Sequence, residues 1–97
     1  MREVTLLYFD GCPHWELADH QLRTLADELG LTITRRRIET PEDAERWSFR
    51  GSPTILIDGE DVFATGSEPV GLSCRIYQTP DGPAGTPSVA QLRDALR

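Results

Sequence analysis

The stretch Tyr8-Phe9-Asp10-Gly11-Cys12-Pro13-His14-Trp15 constrains the fold of this chain more than any other, because one kind of periodicity ends there and another begins. Ahead of it, Glu3 to Phe9 is β-branched, aromatic and almost continuously apolar, the pattern of a central strand covered on both faces. Behind it, Trp15, Ala18, Leu22, Leu25, Ala26 and Leu29 recur mainly at steps of three and four, which predicts a long helix stopped by Gly30. Asp10-Gly11 breaks the strand. Pro13 suits the first helical position, where its φ is already helical and its missing N–H would have had no intrahelical partner. Cys12 is thereby predicted to fall at the helix N-cap. A thiolate there meets unpaired N–H groups and the positive end of the helix dipole, which lower a cysteine pKa and raise the fraction of nucleophile.

The remaining elements follow in order. Leu31 to Ile38 alternates and then loses its alternation across Arg35, Arg36 and Arg37, which predicts a second strand whose far end has no defined register. Thr40-Pro41-Glu42-Asp43 reads as an N-cap, a first-turn proline and two acids near the positive helix end, so a short second helix follows and ends by Gly51. Ser52 to Ile57 is an apolar strand opened by a proline, and Asp58-Gly59-Glu60-Asp61 turns it back into Val62-Phe63-Ala64 as a β-hairpin. Residues 65 to 86 hold Gly66, Pro69, Gly71, Pro80, Gly82, Pro83 and Gly85, and predict a long irregular insertion carrying Cys74. Thr86-Pro87 then caps a last helix with Val89, Leu92 and Leu96 on one face.

Composition limits the partners. With 97 residues, 38% apolar and 27% charged, the chain has room for one globular domain around one core. A net charge of −6 argues against nucleic acid, and Arg35 to Arg37 is too short to be a basic tail. The first residues run straight into a short strand, leaving no room for a signal peptide or a membrane span, so a cytoplasmic protein without membrane attachment is expected. Two cysteines are too few for a disulfide scaffold, and in a reducing compartment such a pair is more often catalytic, redox-sensing or metal-binding.

The element order β-α-β-α-β-β-α, with a cysteine at the start of the first helix and Ser52-Pro53-Thr54 opening the third strand, resembles the thioredoxin fold over almost the whole chain outside residues 65 to 86. Cys12-Pro13-His14 is similar to the start of the Cys-Pro-His-Cys motif found in that superfamily, with Trp15 standing where the second cysteine would be. Phe9-Asp10-Gly11-Cys12-Pro13, together with Gly71-Leu72-Ser73-Cys74-Arg75, looks like a group of small bacterial thioredoxin-like proteins, some of them labelled alkylmercury lyase-like. The resemblance implies an α/β fold with a four-stranded mixed sheet flanked by three helices. It also implies a cis Pro53 with Ser52 beside Cys12, so that Pro13, Ser52 and Pro53 form a surface against which a partner docks.

Each candidate residue has an ordinary reading beside the functional one. Cys12 is either a small buried hydrophobe or a reactive thiol, and the helix start with Pro13 and the Ser-Pro strand favours the thiol. Trp15 removes the usual route by which a mixed disulfide is attacked from the next helical turn. Cys74 is then either the resolving thiol, closing a bond that stabilises the fold by roughly 4 kcal/mol on the loop-entropy model, or a loop cysteine with no partner. Arg75 beside it would favour a thiolate at Cys74 as well. In the first case Val70, Leu72, Ile76 and Tyr77 provide the apolar surface that docks the segment.

His14 is a first-turn residue suited to pairing with the Cys12 thiolate, and His20 lies on the solvated face with Asp19, Arg23 and Asp27. Asp10 starts a turn or accepts a proton near the sulfur, the turn being favoured. Trp15 and Trp47 fit core faces. Cys12, His14 and Cys74 lack the paired spacing of a structural zinc site, so no metal and no cofactor are expected, although two thiolates suit a soft ion. The expectation is a thiol-disulfide oxidoreductase-like protein, monomeric or weakly dimeric, with Cys12, Cys74 and His14 as catalytic residues and a protein or low-molecular-weight thiol as partner. The alternative is a redox-inactive module that binds a protein or a soft metal such as mercury through the same groove.

Overall fold

The computed structural model describes residues 2–66 and 68–96. Its elements run β1 (Glu3–Tyr8), α1 (His14–Leu29), β2 (Thr32–Arg37), α2 (Pro41–Trp47), β3 (Arg50–Ser52), β4 (Thr54–Ile57), β5 (Gly71–Cys74), β6 (Tyr77–Thr79), β7 (Gly82–Ala84) and α3 (Val89–Leu96). The main sheet has the order β2-β1-β4, with β1 parallel to β2 and antiparallel to β4. It is therefore a mixed α/β arrangement with β1 at its centre.

The continuous apolarity of β1 follows from that position. Val4 and Leu6 point to one face, where they pack with Ile55 and Ile57 of β4 under Ala18, Leu22 and Leu25 of α1 and Leu92 and Leu96 of α3. Leu7 points to the other face and joins Ile38, Ala44 and Phe49 in a smaller cluster built on α2. Successive side chains of a strand face opposite ways, so a strand with helical cover on both sides has no face left to be polar. In β2 only Ile33 is partly buried, and Arg35, Arg36 and Arg37 are exposed opposite Leu6, Leu7 and Tyr8. The arginines thus have a fixed register. They keep the strand charged: Arg35 pairs with Asp19, Arg36 lies over the Trp47 ring, and Arg37 pairs with Asp10 and Glu39.

Four expectations need correction. The return strand at Val62-Phe63-Ala64 does not form, so the main sheet has three strands in place of the four expected. The Asp58-Gly59 turn is made, with positive φ at both residues, yet pairing stops after one bridge between Ile57 and Glu60. The reason is Asp61. Its carboxylate accepts the Phe63 N–H and its carbonyl the Ala64 N–H, which curls the chain where a strand would need to run straight.

The stretch expected to be irregular holds three short strands between residues 71 and 84: β5 pairs in parallel with β3, and β6 and β7 form a hairpin. The last helix is capped by Ser88 rather than Thr86. Ser88 Oγ accepts the Gln91 N–H at 3.1 Å while Gln91 Oε1 accepts the Ser88 N–H at 2.9 Å, a reciprocal capping box. Finally, the cap of α1 is Pro13, so Cys12 stands one residue before the position expected of it. No helix of the described residues is long and apolar enough to cross a membrane.

Candidate functional site

Cys12 and Cys74 are joined by a disulfide, with Cα atoms 5.8 Å apart. That separation lies inside the range a disulfide tolerates. Each cysteine is delivered by a different part of the sequence. Cys12 sits at the strand-to-helix junction, its N–H bonded to the Phe9 carbonyl at 3.3 Å, and the break at Asp10-Gly11 turns it inward until it is fully buried. Cys74 closes β5 opposite Ser52 and is exposed.

The bond depends on how closely β5 approaches β3. Gly51 has φ +103°, and a Cβ there would come to 3.0 Å from the Arg75 Cβ and 3.2 Å from the Ser73 carbonyl. A side chain at this position would hold the two segments apart. With glycine present, the Gly71 N–H reaches the Phe49 carbonyl and the Arg75 N–H reaches the Ser52 carbonyl, both at 3.0 Å. The same Ser52 carbonyl oxygen lies 3.5 Å from Cys12 Sγ, and the Ser52 hydroxyl accepts the Phe9 N–H at 3.4 Å. Ser52 therefore ties the two cysteine-bearing segments to one point.

Pro53, joined to Ser52 by a cis peptide bond, is buried, and the Tyr77 hydroxyl donates to its carbonyl. Of the three residues expected to meet a partner, only Pro13 is exposed. Ser52 and Pro53 are covered by the chain's own residues, since β5 takes the backbone edge of Ser52. His14 is exposed, and its imidazole lies over Gly85, where an added Cβ would overlap the ring. It fastens the start of α1 to the end of the β6–β7 hairpin. Trp15 stacks on Tyr8 with ring centroids 4.2 Å apart and packs against the core, the role expected of it. Asp10 is exposed and bonded to Arg37, and His20 is exposed.

From Cys74 onward the chain alternates: Cys74 and Ile76 face out, Arg75 and Tyr77 face in. Arg75 thus turns away from the sulfur. Its guanidinium makes a bidentate pair with Asp61 at 2.7 and 3.2 Å and lies 4.6 Å over the Tyr77 ring. Burial works against that charge, but the hydrogen bonds it donates to Asp61 and the surrounding negative charges outweigh it, and the pKa is raised above the ordinary arginine value. Burial also pushes the Tyr77 phenol well above its ordinary value, so it remains a donor to Pro53.

The segment therefore docks through Arg75, Tyr77 and the disulfide. Val70, Leu72 and Ile76, expected to supply its apolar contact, stay exposed at 44%, 38% and 58%. Arg75, Tyr77 and Asp61 were not legible as a structural unit. The signal that could have found them is the period-two spacing of Arg75 and Tyr77 on one side and Cys74 and Ile76 on the other.

A groove of about 540 Å³ opens beside Cys74, lined among others by Arg50, Glu68, Arg75, Ile76 and Gln91. Arg50 donates to the Glu68 carbonyl at 3.2 Å, and hydrogen bonding from Thr65 holds the Glu68 carboxyl down to about 2. Glu68 is accordingly a charged rim residue at neutral pH. Among the described residues no group of three or more His, Cys, Asp or Glu side chains is placed to hold a metal ion. In comparisons with known proteins, no family model matches the chain and no curated protein matches it.

Proposed function

We propose that the protein is a thiol-disulfide redox protein of thioredoxin-like type that cycles between the Cys12–Cys74 disulfide and the corresponding dithiol. The observation that carries the reading is the bond itself, formed between a buried cysteine at a helix start and an exposed cysteine on β5. A purely structural cross-link gains nothing from having one sulfur at a helix N-terminus. A redox pair does, because the thiolate released on reduction lies just ahead of α1, where the positive end of the helix dipole favours negative charge. Cys74 supplies what Trp15 does not, a second thiol within bonding range of Cys12. The β2-β1-β4 order with the cysteine following the central strand supports a thioredoxin-like arrangement.

The test is a redox titration. Equilibration of the whole chain in mixtures of reduced and oxidised glutathione, followed by acid quenching, alkylation and mass measurement, gives the fraction of dithiol. A single two-electron transition between about −120 and −270 mV, the span of known exchange catalysts, supports the reading. A potential below about −300 mV assigns the bond to structure alone.

A further inference from the structure

Resting on the redox reading above, we infer that the sulfur through which this protein meets its partner is that of Cys74, the partner being a low-molecular-weight thiol bound in the groove beside it. Cys12 is the internal leaving group and the returning nucleophile. This exchanges the roles that the helix start suggests. Thiol-disulfide exchange requires the attacking sulfur to approach one sulfur of the bond in line with the other, so accessibility decides which is attacked. Cys12 has 0% exposure, enclosed between Phe9, Ser52 and β5, whereas Cys74 is exposed and lines the groove.

The groove also favours a small partner. An extended polypeptide would need a free backbone edge, and the edge at Ser52 is already bonded to the Arg75 N–H, with Tyr77 closing over Pro53. Cys74 itself lines a cavity of about 540 Å³, within the size of sites that hold small ligands. The incoming thiol loses its proton to solvent, and its sulfur forms a bond to Cys74 Sγ. The Cys12–Cys74 bond breaks and its electron pair leaves on Cys12 Sγ, beside the N-terminal end of α1. Protonated from solvent, that thiol has the Ser52 carbonyl as acceptor 3.5 Å away. The mixed disulfide on Cys74 has two exits. Cys12 attacks Cys74 Sγ, restores the internal bond and expels the thiol, or a second thiol attacks the first thiol's sulfur. The second exit yields the small disulfide and the protein dithiol, so two thiols are oxidised for each protein disulfide reduced.

The experiment takes the oxidised full-length chain, mixes it with excess glutathione, quenches with acid at short times, alkylates free thiols and maps the adduct by peptide mass spectrometry. The expected result is glutathione on Cys74 and alkylation on Cys12, in an excess of about tenfold or more over the reverse, equivalent to a barrier difference of about 1.4 kcal/mol. Glutathione chiefly on Cys12 overturns this assignment and leaves the redox reading standing. A disulfide that neither glutathione nor a smaller monothiol opens overturns both.

Discussion

Arg75 carries a positive charge into a place where 1% of its side chain meets solvent, and Asp61, its counter-ion, is itself 13% exposed. The asymmetry makes the two residues unequal. Asp61→Asn keeps the shape and leaves a buried guanidinium without its charge partner, a change that costs about 3 kcal/mol or more when a buried pair is broken. Arg75→Met keeps the volume under the Tyr77 ring and leaves behind a carboxylate with some access to water, so it is expected to cost less, about 1–2 kcal/mol. Urea unfolding of the two variants at neutral pH measures the difference. If Asp61→Asn is the milder change, the pair does not hold the segment and the Tyr77 contact to Pro53 carries it instead. Arg75 was legible in the sequence only as a neighbour that would favour a Cys74 thiolate. Strand alternation sends its side chain the other way.

At the scale of elements, the two shorter helices, α2 and α3, are specified at their own starts. Thr40 Oγ1 accepts the Asp43 N–H at 3.1 Å, and Ser88 does the same for α3 through its box with Gln91. Ser88→Ala is therefore expected to lower stability by about 1 kcal/mol and Ser88→Gly by only a few tenths. Equal losses for the two would show that Ser88 acts through something other than its cap, and thermal unfolding with matched controls separates the cases. Thr86, read from the sequence as the cap, is instead buried with its hydroxyl against Gln21 Oε1 at 3.1 Å. Both Thr86-Pro87 and Ser88-x-x-Gln91 carry start signals, and only the reciprocal pair meets the helix that forms.

β1 and α1 were legible because each buries a periodic apolar set against the core, β2 because Leu31 and Ile33 alternate at its start, and α2 because Thr40-Pro41 marks its beginning. β5, β6 and β7 were not. They are three or four residues long, contain Gly71, Gly82 and Pro83, and owe their pairing to the backbone of Arg50 and Ser52 or to each other. The missing fourth strand has the opposite cause: Val62-Phe63-Ala64 has strand-forming residues, and the Asp61 carboxylate, fixed by Arg75, bends them away. The candidate site divides in the same way. Cys12 was visible from the periodicity change around it, while the bond to Cys74 depends on β5, and the cover it places over Ser52 had no local signature.

For the whole molecule, the Cα radius of gyration of 12.3 Å is what about a hundred folded residues occupy, so the Gly- and Pro-rich stretch is folded onto the rest. Its attachments include the disulfide, the β3–β5 pairing, the Arg75–Asp61 pair, Tyr77 on Pro53, Arg50 on the Glu68 carbonyl and the Gln91 side-chain N–H on the Gln78 carbonyl. Among them the disulfide alone is covalent, and it spans a sequence separation of 62 residues. On the loop-entropy model such a closure contributes about 4 kcal/mol, a large part of the 5–15 kcal/mol that holds a small domain together. Reduction should therefore act at two levels. Unfolding in urea should shift by about 4 kcal/mol when the bond is reduced, and Cys74→Ser should show the shift without added reductant. Native-state hydrogen exchange should localise the change. The amide of Arg75, bonded to Ser52, and that of Gly71, bonded to Phe49, should lose protection on reduction well before Val4, Leu6 and Leu7, which lie between two strands and under helices on both faces. Uniform loss across all five amides would mean that the segment and the main sheet unfold as one unit. Unchanged protection at Arg75 and Gly71 would mean that Asp61 and Tyr77 hold β5 without the bond, and that the two redox states share one structure.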